Sequence, residues 1–318
     1  MEAFAAPKGL IAELITPFES DGTIDIPGFK RLVARVSPHV QGVFLASPRV
    51  GEGAMLSLDQ RLLLLEETIL HLKDLPVFIF FWITGVHEEQ TMETASAVQK
   101  RFKIKGSSRN LHLVDTPLLY HSNRGLVGYY KRLFSIMDKP VILHNDPVII
   151  ASLKKSLKRN NIRTAILKEL CEMPGISGLI FSGSLERGHH YQSACRKNSS
   201  FRIYDGDEIR FLDYPSTSGA ISIGANLAPK AWGKITRSSL QQMDQKNNYP
   251  DHLQQIWGIG DCLRTISNAC RQFPVEVVKK ILGEQGVIRT SAAIPGNEVV
   301  EQSCIQIREC MGNKLINE

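Results

Sequence analysis

His144 and Asp146 lie two residues apart in PVILHND (140–146), and Asp205 and Asp207 repeat that spacing in FRIYDGD (201–207). Residues two apart on an extended chain share a face, so each run brings two ionisable groups to one side. An imidazole there can serve as a general base, with a carboxylate beside it. His144, Asp146 and an acid of the 201–207 run are also metal-ligand types, but they lack a fingerprint spacing, and no metal is assigned. Arg49 precedes GEG (51–53), and its planar fork suits bidentate pairing with a carboxylate or phosphate. Glu13 interrupts the apolar run LIAELITPF (10–18), and an inward-facing carboxylate needs a partner. Asp205 and Asp207 also have a plain structural use, as caps of a following helix.

These groups sit at the ends of short β-rich runs that alternate with amphipathic stretches. The runs are 10–18, 42–47, 76–85, 110–119, 140–146, 178–182, 201–207 and 220–226. The stretch LSLDQRLLLLEETILHLKD (56–74) spaces its apolar residues by three and four, with Ser57 and Gln60 placed as a capping box. Continuous apolar strands between helices indicate a parallel sheet buried on both faces, and eight such units close a (β/α)8 TIM barrel. The doubly wound alternative lacks its phosphate turn, since GEGAM (51–55) does not carry the G-x-G-x-x-G spacing. The expected division is a barrel over 1–226, then the closing barrel helix and a C-terminal helical region over 227–318, packed as one structural unit.

Composition narrows the function classes. Hydrophobic residues at 43% supply enough core for a globular fold. The net charge of +6 is scattered; the basic runs at 100–105 and 154–159 read as solvated helix faces, so no nucleic-acid partner is expected. The most apolar window, 75–85, is about half the length a membrane helix needs. The N-terminus lacks a secretory pattern, and a cytoplasmic location is expected. The six cysteines form no C-x-x-C pair, and Cys262, Cys270, Cys304 and Cys310, in helical-looking segments, read as small buried hydrophobes.

At its strand ends the sequence resembles the dihydrodipicolinate synthase / N-acetylneuraminate lyase family of Schiff-base aldolases. The matching pieces run in order from LITPFESDGTIDIPGFKRLV through GEGAMLSLDQR, DTPLLYHSNRGLVGYYKRLF, DKPVILHNDP, GISGLIFSGSLER and YDGDE to GAISIGANLAPKAW and the tail FPVEVVKKILGEQGVIRTSAAIP. The resemblance implies a lysine at the end of strand 6 that forms an imine with pyruvate or another 2-oxo acid. It also implies tyrosines that relay protons, Thr/Ser residues that hold the substrate carboxylate, no cofactor, and a dimer or tetramer of like chains.

This chain departs from that pattern at the reacting centre. Ile180 falls at the lysine position, and no lysine lies between Pro174 and Glu186. Lys139, Lys168 and Lys230 lie at the wrong end of strand 5, in the helix before strand 6, and beyond strand 8. His144 matches the strand-5 tyrosine, Leu119 the second tyrosine with Tyr120 one place late, and Ser47-Pro48-Arg49-Val50 the usual Thr pair.

Lost imine chemistry follows as the main expectation, leaving a barrel that binds a small anionic metabolite such as a 2-oxo acid, or has a structural role. The alternative is a divergent lyase or other enzyme with His144 as general base, Asp146 and Tyr120 assisting, and Arg49 as anion clamp. Ser47, Glu52, Thr16, Asp205 and Ser222 complete the expected substrate-binding set. A misplaced strand-6 alignment would instead restore an ordinary imine lyase. A converging Arg49, His144 and acid with a shifted histidine would favour the enzyme; a pocket filled around Ile180 and Leu119 would favour assembly.

Overall fold

The computed structural model describes residues 5–105, 110–154, 159–240, 249–290 and 298–312. Residues 155–158 of the second basic run and 291–295 of the tail motif lie outside the described residues.

Eight parallel strands close into a barrel in chain order. They are β1 (Gly9–Glu13), β2 (Gly42–Leu45), β3 (Phe78–Trp82), β4 (Leu111–Asp115), β5 (Val141–Asn145), β6 (Ile176–Phe181), β7 (Arg202–Asp205) and β8 (Gly219–Ser222). Pairing of β1 with β8 completes the ring. Strand residues separate by the two-residue alternation. Ile11, Phe44, Phe80, Trp82, Val114, Ile142, Ile180, Tyr204 and Ile221 fill the interior. Their neighbours Leu10, Val43, Ile79, Leu113, Leu143, Leu179 and Ile203 face the surrounding helices. The expected TIM barrel is the observed fold.

Several strands are shorter than their apolar runs. The 110–119 run ends as a strand at Asp115, and Pro117–Leu119 form a 3-10 turn. The 10–18 run ends at Glu13. Proline at positions 17 and 117 removes the N–H a ladder needs, and the continuing chain becomes the loops above the barrel. Ser57 and Gln60 form the expected capping box of the helix Leu58–Leu72.

Beyond β8, the helix Pro229–Leu240 packs on β1 and β8. The helix Tyr249–Cys270 packs on it and on the short helix Glu208–Asp213 that follows β7. Pro274–Glu284 and Glu298–Met311 complete the tail. Lys279 ties this tail to the barrel: its ammonium lies 2.6 Å from Glu52 Oε2 and over the Phe18 ring. Cys171, Cys195, Cys270 and Cys304 are buried free thiols. No helix among the described residues is long and apolar enough to cross a membrane.

Candidate ligand cavity at the C-terminal mouth of the barrel

A cavity of about 350 Å³ opens at the C-terminal ends of the strands. Its floor is the top of the interior core: Phe44, Ile180 and Ile221. Ile180 is held there by register, paired with His144 on β5 and Tyr204 on β7, and only 1% exposed. The lining contains Arg49 and Arg271 and, among the described residues, no lysine.

Polar groups form the wall. Glu13 stands at the end of β1, where burial pushes its carboxyl up to about 7. A hydrogen bond with Ser47 and the charge of Arg49 pull it down, while Glu208 and Asp146 push it up. Ser47 Oγ accepts the Gly51 N–H at 2.8 Å, which leaves its hydroxyl proton for Glu13. Asp146 caps the helix Pro147–Ala151, accepting from the N–H groups of Val148 and Ile149 at 2.8 and 3.2 Å. Arg49 Nη1 lies 3.9 Å from the other Asp146 oxygen, so its ion pair is with Asp146, while its charge also acts on Glu13. Asp207 caps the helix Glu208–Asp213 through the Arg210 N–H.

Glu208 completes the acidic side. It accepts from the Ser222 hydroxyl, the Gly224 N–H at 2.7 Å and the Ser267 hydroxyl at 2.6 Å. Burial still raises its pKa against those three donors. Over this wall the tail places Ser267, Cys270, Arg271 and Pro274 as a roof. The Arg271 side chain makes no hydrogen bond or ion pair among the described residues.

His144 is buried between floor and wall, and burial pushes its pKa down to about 4, with Asp146 opposing and Arg49 reinforcing. Its Nδ1 lies 2.9 Å from Thr116 Oγ1, and Phe44 meets the ring edge-on. A base held so far below neutrality is uncharged at pH 7 but weak.

Of the residues singled out in the sequence, Glu13, Arg49, His144, Asp146, Ile180 and Asp207 line the cavity, with Pro48 and Val50 beside Arg49. Tyr120, Leu119, Thr16, Glu52, Asp205, Ser47 and Ser222 do not. The Tyr120 hydroxyl donates to Asp115 Oδ2 at 2.7 Å, in a buried cluster with Thr84 and Tyr130. Leu119, in the turn after β4, packs against the interior core. Thr16 Oγ1 donates to the Gly51 carbonyl at 2.7 Å, holding the loop after β2. Glu52 is occupied by Lys279. Asp205 is held by the Arg210 guanidinium and accepts the Ser216 N–H at 2.8 Å. Ser47 and Ser222 act one step back, on Glu13 and Glu208. No three His, Cys, Asp or Glu side chains among the described residues stand in metal-ligand geometry.

Glu208 and Arg271 went unrecognised in the sequence. Glu208 follows Asp207 in YDGDE, and its place as the first residue of a helix at a strand's end was the available signal. For Arg271 no local signal exists, because its place depends on how the tail folds back.

The comparisons with known proteins agree on the ancestry. The family model described as the dihydrodipicolinate synthetase family matches residues 6–301. The 4-hydroxy-tetrahydrodipicolinate synthase of Neisseria gonorrhoeae is 28% identical over 241 residues, covering 74% of this chain and 76% of that protein. The same-named protein of Limosilactobacillus fermentum is 24% identical, covering 95% and 91%. Among solved structures, the chloride-inhibited dihydrodipicolinate synthase of Acinetobacter baumannii complexed with pyruvate superposes with a TM-score of 0.75 at 22% identity, covering 98% and 99%. A monomeric dihydrodipicolinate synthase variant superposes at 0.78 with 18% identity, covering 97% of each chain. With its barrel closed in chain order and nearly its whole length matched, the chain belongs to the dihydrodipicolinate synthetase family.

Proposed function

We propose that this barrel binds a small hydroxylated acid, of the 2-oxo acid kind, without forming an imine. The observation that carries the reading is Ile180 at the cavity floor beside His144, with no lysine in the lining. An alkyl side chain offers no nucleophile, so a carbonyl carbon placed there meets no amine. The open cavity argues for a ligand rather than a filled, purely structural site. Arg49 and Arg271 suit a carboxylate at the mouth. Glu13, Asp146 and Glu208 suit hydroxyl donors deeper in, since carboxylate oxygens accept hydrogen bonds. Binding is tested by calorimetric titration with pyruvate and with gluconate, alongside intact mass after pyruvate and borohydride. The expected result is heat of binding with unchanged mass. A reduced pyruvyl adduct on any one lysine sinks the non-covalent reading.

A second reading, proton transfer on the bound acid, is supported by the Glu13 carboxyl held near neutrality in the cavity. It places Glu13 rather than His144 as the acid–base group. Proton NMR of pyruvate in D2O with the protein then shows accelerated loss of the methyl signal, and Glu13→Gln abolishes the acceleration.

A further inference from the structure

Trp82, Thr116 and His144 form a short chain of hydrogen bonds beneath the cavity. Trp82 Nε1 is 2.9 Å from Thr116 Oγ1, which is 2.9 Å from His144 Nδ1. Protons can be placed on this chain in one satisfactory way. An indole N–H only donates, so Thr116 Oγ1 accepts from Trp82. Thr116 is fully buried, and among the described residues its hydroxyl has no other acceptor than His144 Nδ1. If Nδ1 carried a hydrogen, two N–H donors would point at one oxygen whose own proton had nowhere to go. A buried unsatisfied donor is disfavoured.

The hydroxyl itself is held in position. Thr116 N–H donates to Thr84 Oγ1 at 2.7 Å, and Thr84 Oγ1 donates to Asp115 Oδ1 at 2.7 Å. The Tyr120 and Tyr130 hydroxyls fix the other Asp115 oxygen. On the far side of the ring, His144 Nε2 has no hydrogen-bond partner among the described residues. That nitrogen is not sealed from the surroundings, and His144 lines the cavity.

We propose that Trp82 and Thr116 lock His144 in the tautomer that carries its proton on Nε2, so that the ring offers the cavity a fixed N–H donor for a carbonyl or carboxylate oxygen of the ligand. The ligand half rests on the binding function proposed above; the tautomer half does not. Burial, which keeps the ring uncharged at neutral pH, is consistent with this arrangement. His144 is then a specificity-determining group: it selects an acceptor oxygen over a hydroxyl that must donate.

The tautomer is read on unliganded protein labelled with ¹⁵N-histidine, with His144→Gln assigning the resonance. The expected spectrum shows a protonated Nε2 and a bare Nδ1 at pH 7. A protonated Nδ1, or a charged ring, overturns the lock. Trp82→Phe is expected to bring in an observable population with the proton on Nδ1; an unchanged tautomer overturns the part assigned to Trp82. For the ligand half, pyruvate should move the Nε2–H resonance. His144→Phe should weaken pyruvate binding roughly 3- to 10-fold, while His144→Gln, which keeps a donor near the same place, stays within about 3-fold. Pyruvate binding that leaves the Nε2–H resonance and the His144→Phe affinity unaltered overturns the ligand half. Wild-type protein that does not bind pyruvate overturns that half too, whereas the lock still stands or falls on the unliganded spectrum.

Discussion

Ile180 and His144 are register partners across β6 and β5, side by side on the inner wall of the barrel. Strand neighbours stand about 4.8 Å apart, so any group introduced at position 180 reacts next to an imidazole rather than a phenol.

Ile180→Lys restores an amine at the cavity floor. Burial favours its uncharged, nucleophilic form. The variant is expected to trap pyruvate as a borohydride-stable adduct at residue 180, visible by peptide mass mapping, and to lose about 1–3 kcal/mol of stability at neutral pH in urea unfolding. A folded variant that stays unmodified would show that the floor cannot present a carbonyl to this position.

Glu13 makes stability depend on pH in one direction. Its folded pKa, about 7, lies above the ordinary 4.5, so the folded state holds the proton more tightly. The stabilising difference is complete below about pH 4.5 and is lost as pH rises to 7. A shift of that size corresponds to about 3 kcal/mol. Glu13→Gln, neutral at every pH, should therefore gain on wild type by roughly 2–3 kcal/mol at pH 8 and by less than about 1 kcal/mol at pH 5. A pH-independent difference in urea unfolding would remove Glu13 as the titrating group.

His144 acts with the opposite sign. Its folded pKa, about 4, lies below the ordinary 6.5, so the unfolded chain binds the proton first as pH falls. Stability is lost from about pH 6.5 down to 4, again by on the order of 3 kcal/mol. His144→Gln should close that loss: its difference from wild type grows as pH drops, where that of Glu13→Gln shrinks. Thermal unfolding between pH 4.5 and 8 separates the two, and parallel trends would contradict the assignment.

Lys279 and Glu52 join the tail to the loop after β2, with the lysine side chain 5% exposed. Lys279→Met leaves the half-buried Glu52 carboxylate without its counter-ion and should cost about 1–3 kcal/mol. Adding Glu52→Gln should return most of that loss. A double variant no more stable than the single would mean that packing over Phe18, not the ion pair, is what Lys279 supplies.

The place of Ile180 where the resemblance implies a lysine is read from the family pattern alone, because an apolar run such as GLIFS does not say which face each residue takes. The barrel is legible because continuous apolar strands and their count are local patterns. His144 and Asp146 are legible for the same reason, through a spacing of two. The partners of the polar groups are not. Asp205, Glu52 and Tyr120 carry functional-looking side chains, yet Arg210, Lys279 and Asp115 claim them across 5, 227 and 5 residues of chain. Charge pairing of this kind depends on loop paths above the barrel rim, where no periodicity operates. Glu13 was visible as an oddity in an apolar strand, but its near-neutral carboxyl comes first from burial under the loops and tail, with Glu208 and Asp146 adding to it, and chain order shows neither.

The roof over the cavity comes from the junction of two tail helices, and the strands contribute nothing to it. Floor and roof are therefore mutable on separate terms. Changes around Arg271 can redraw what the cavity admits while the eight-stranded ring keeps its packing, and changes such as the isoleucine at 180 can alter what happens inside while the entrance stays the same. A chain built this way can exchange its chemistry and its choice of guest one at a time.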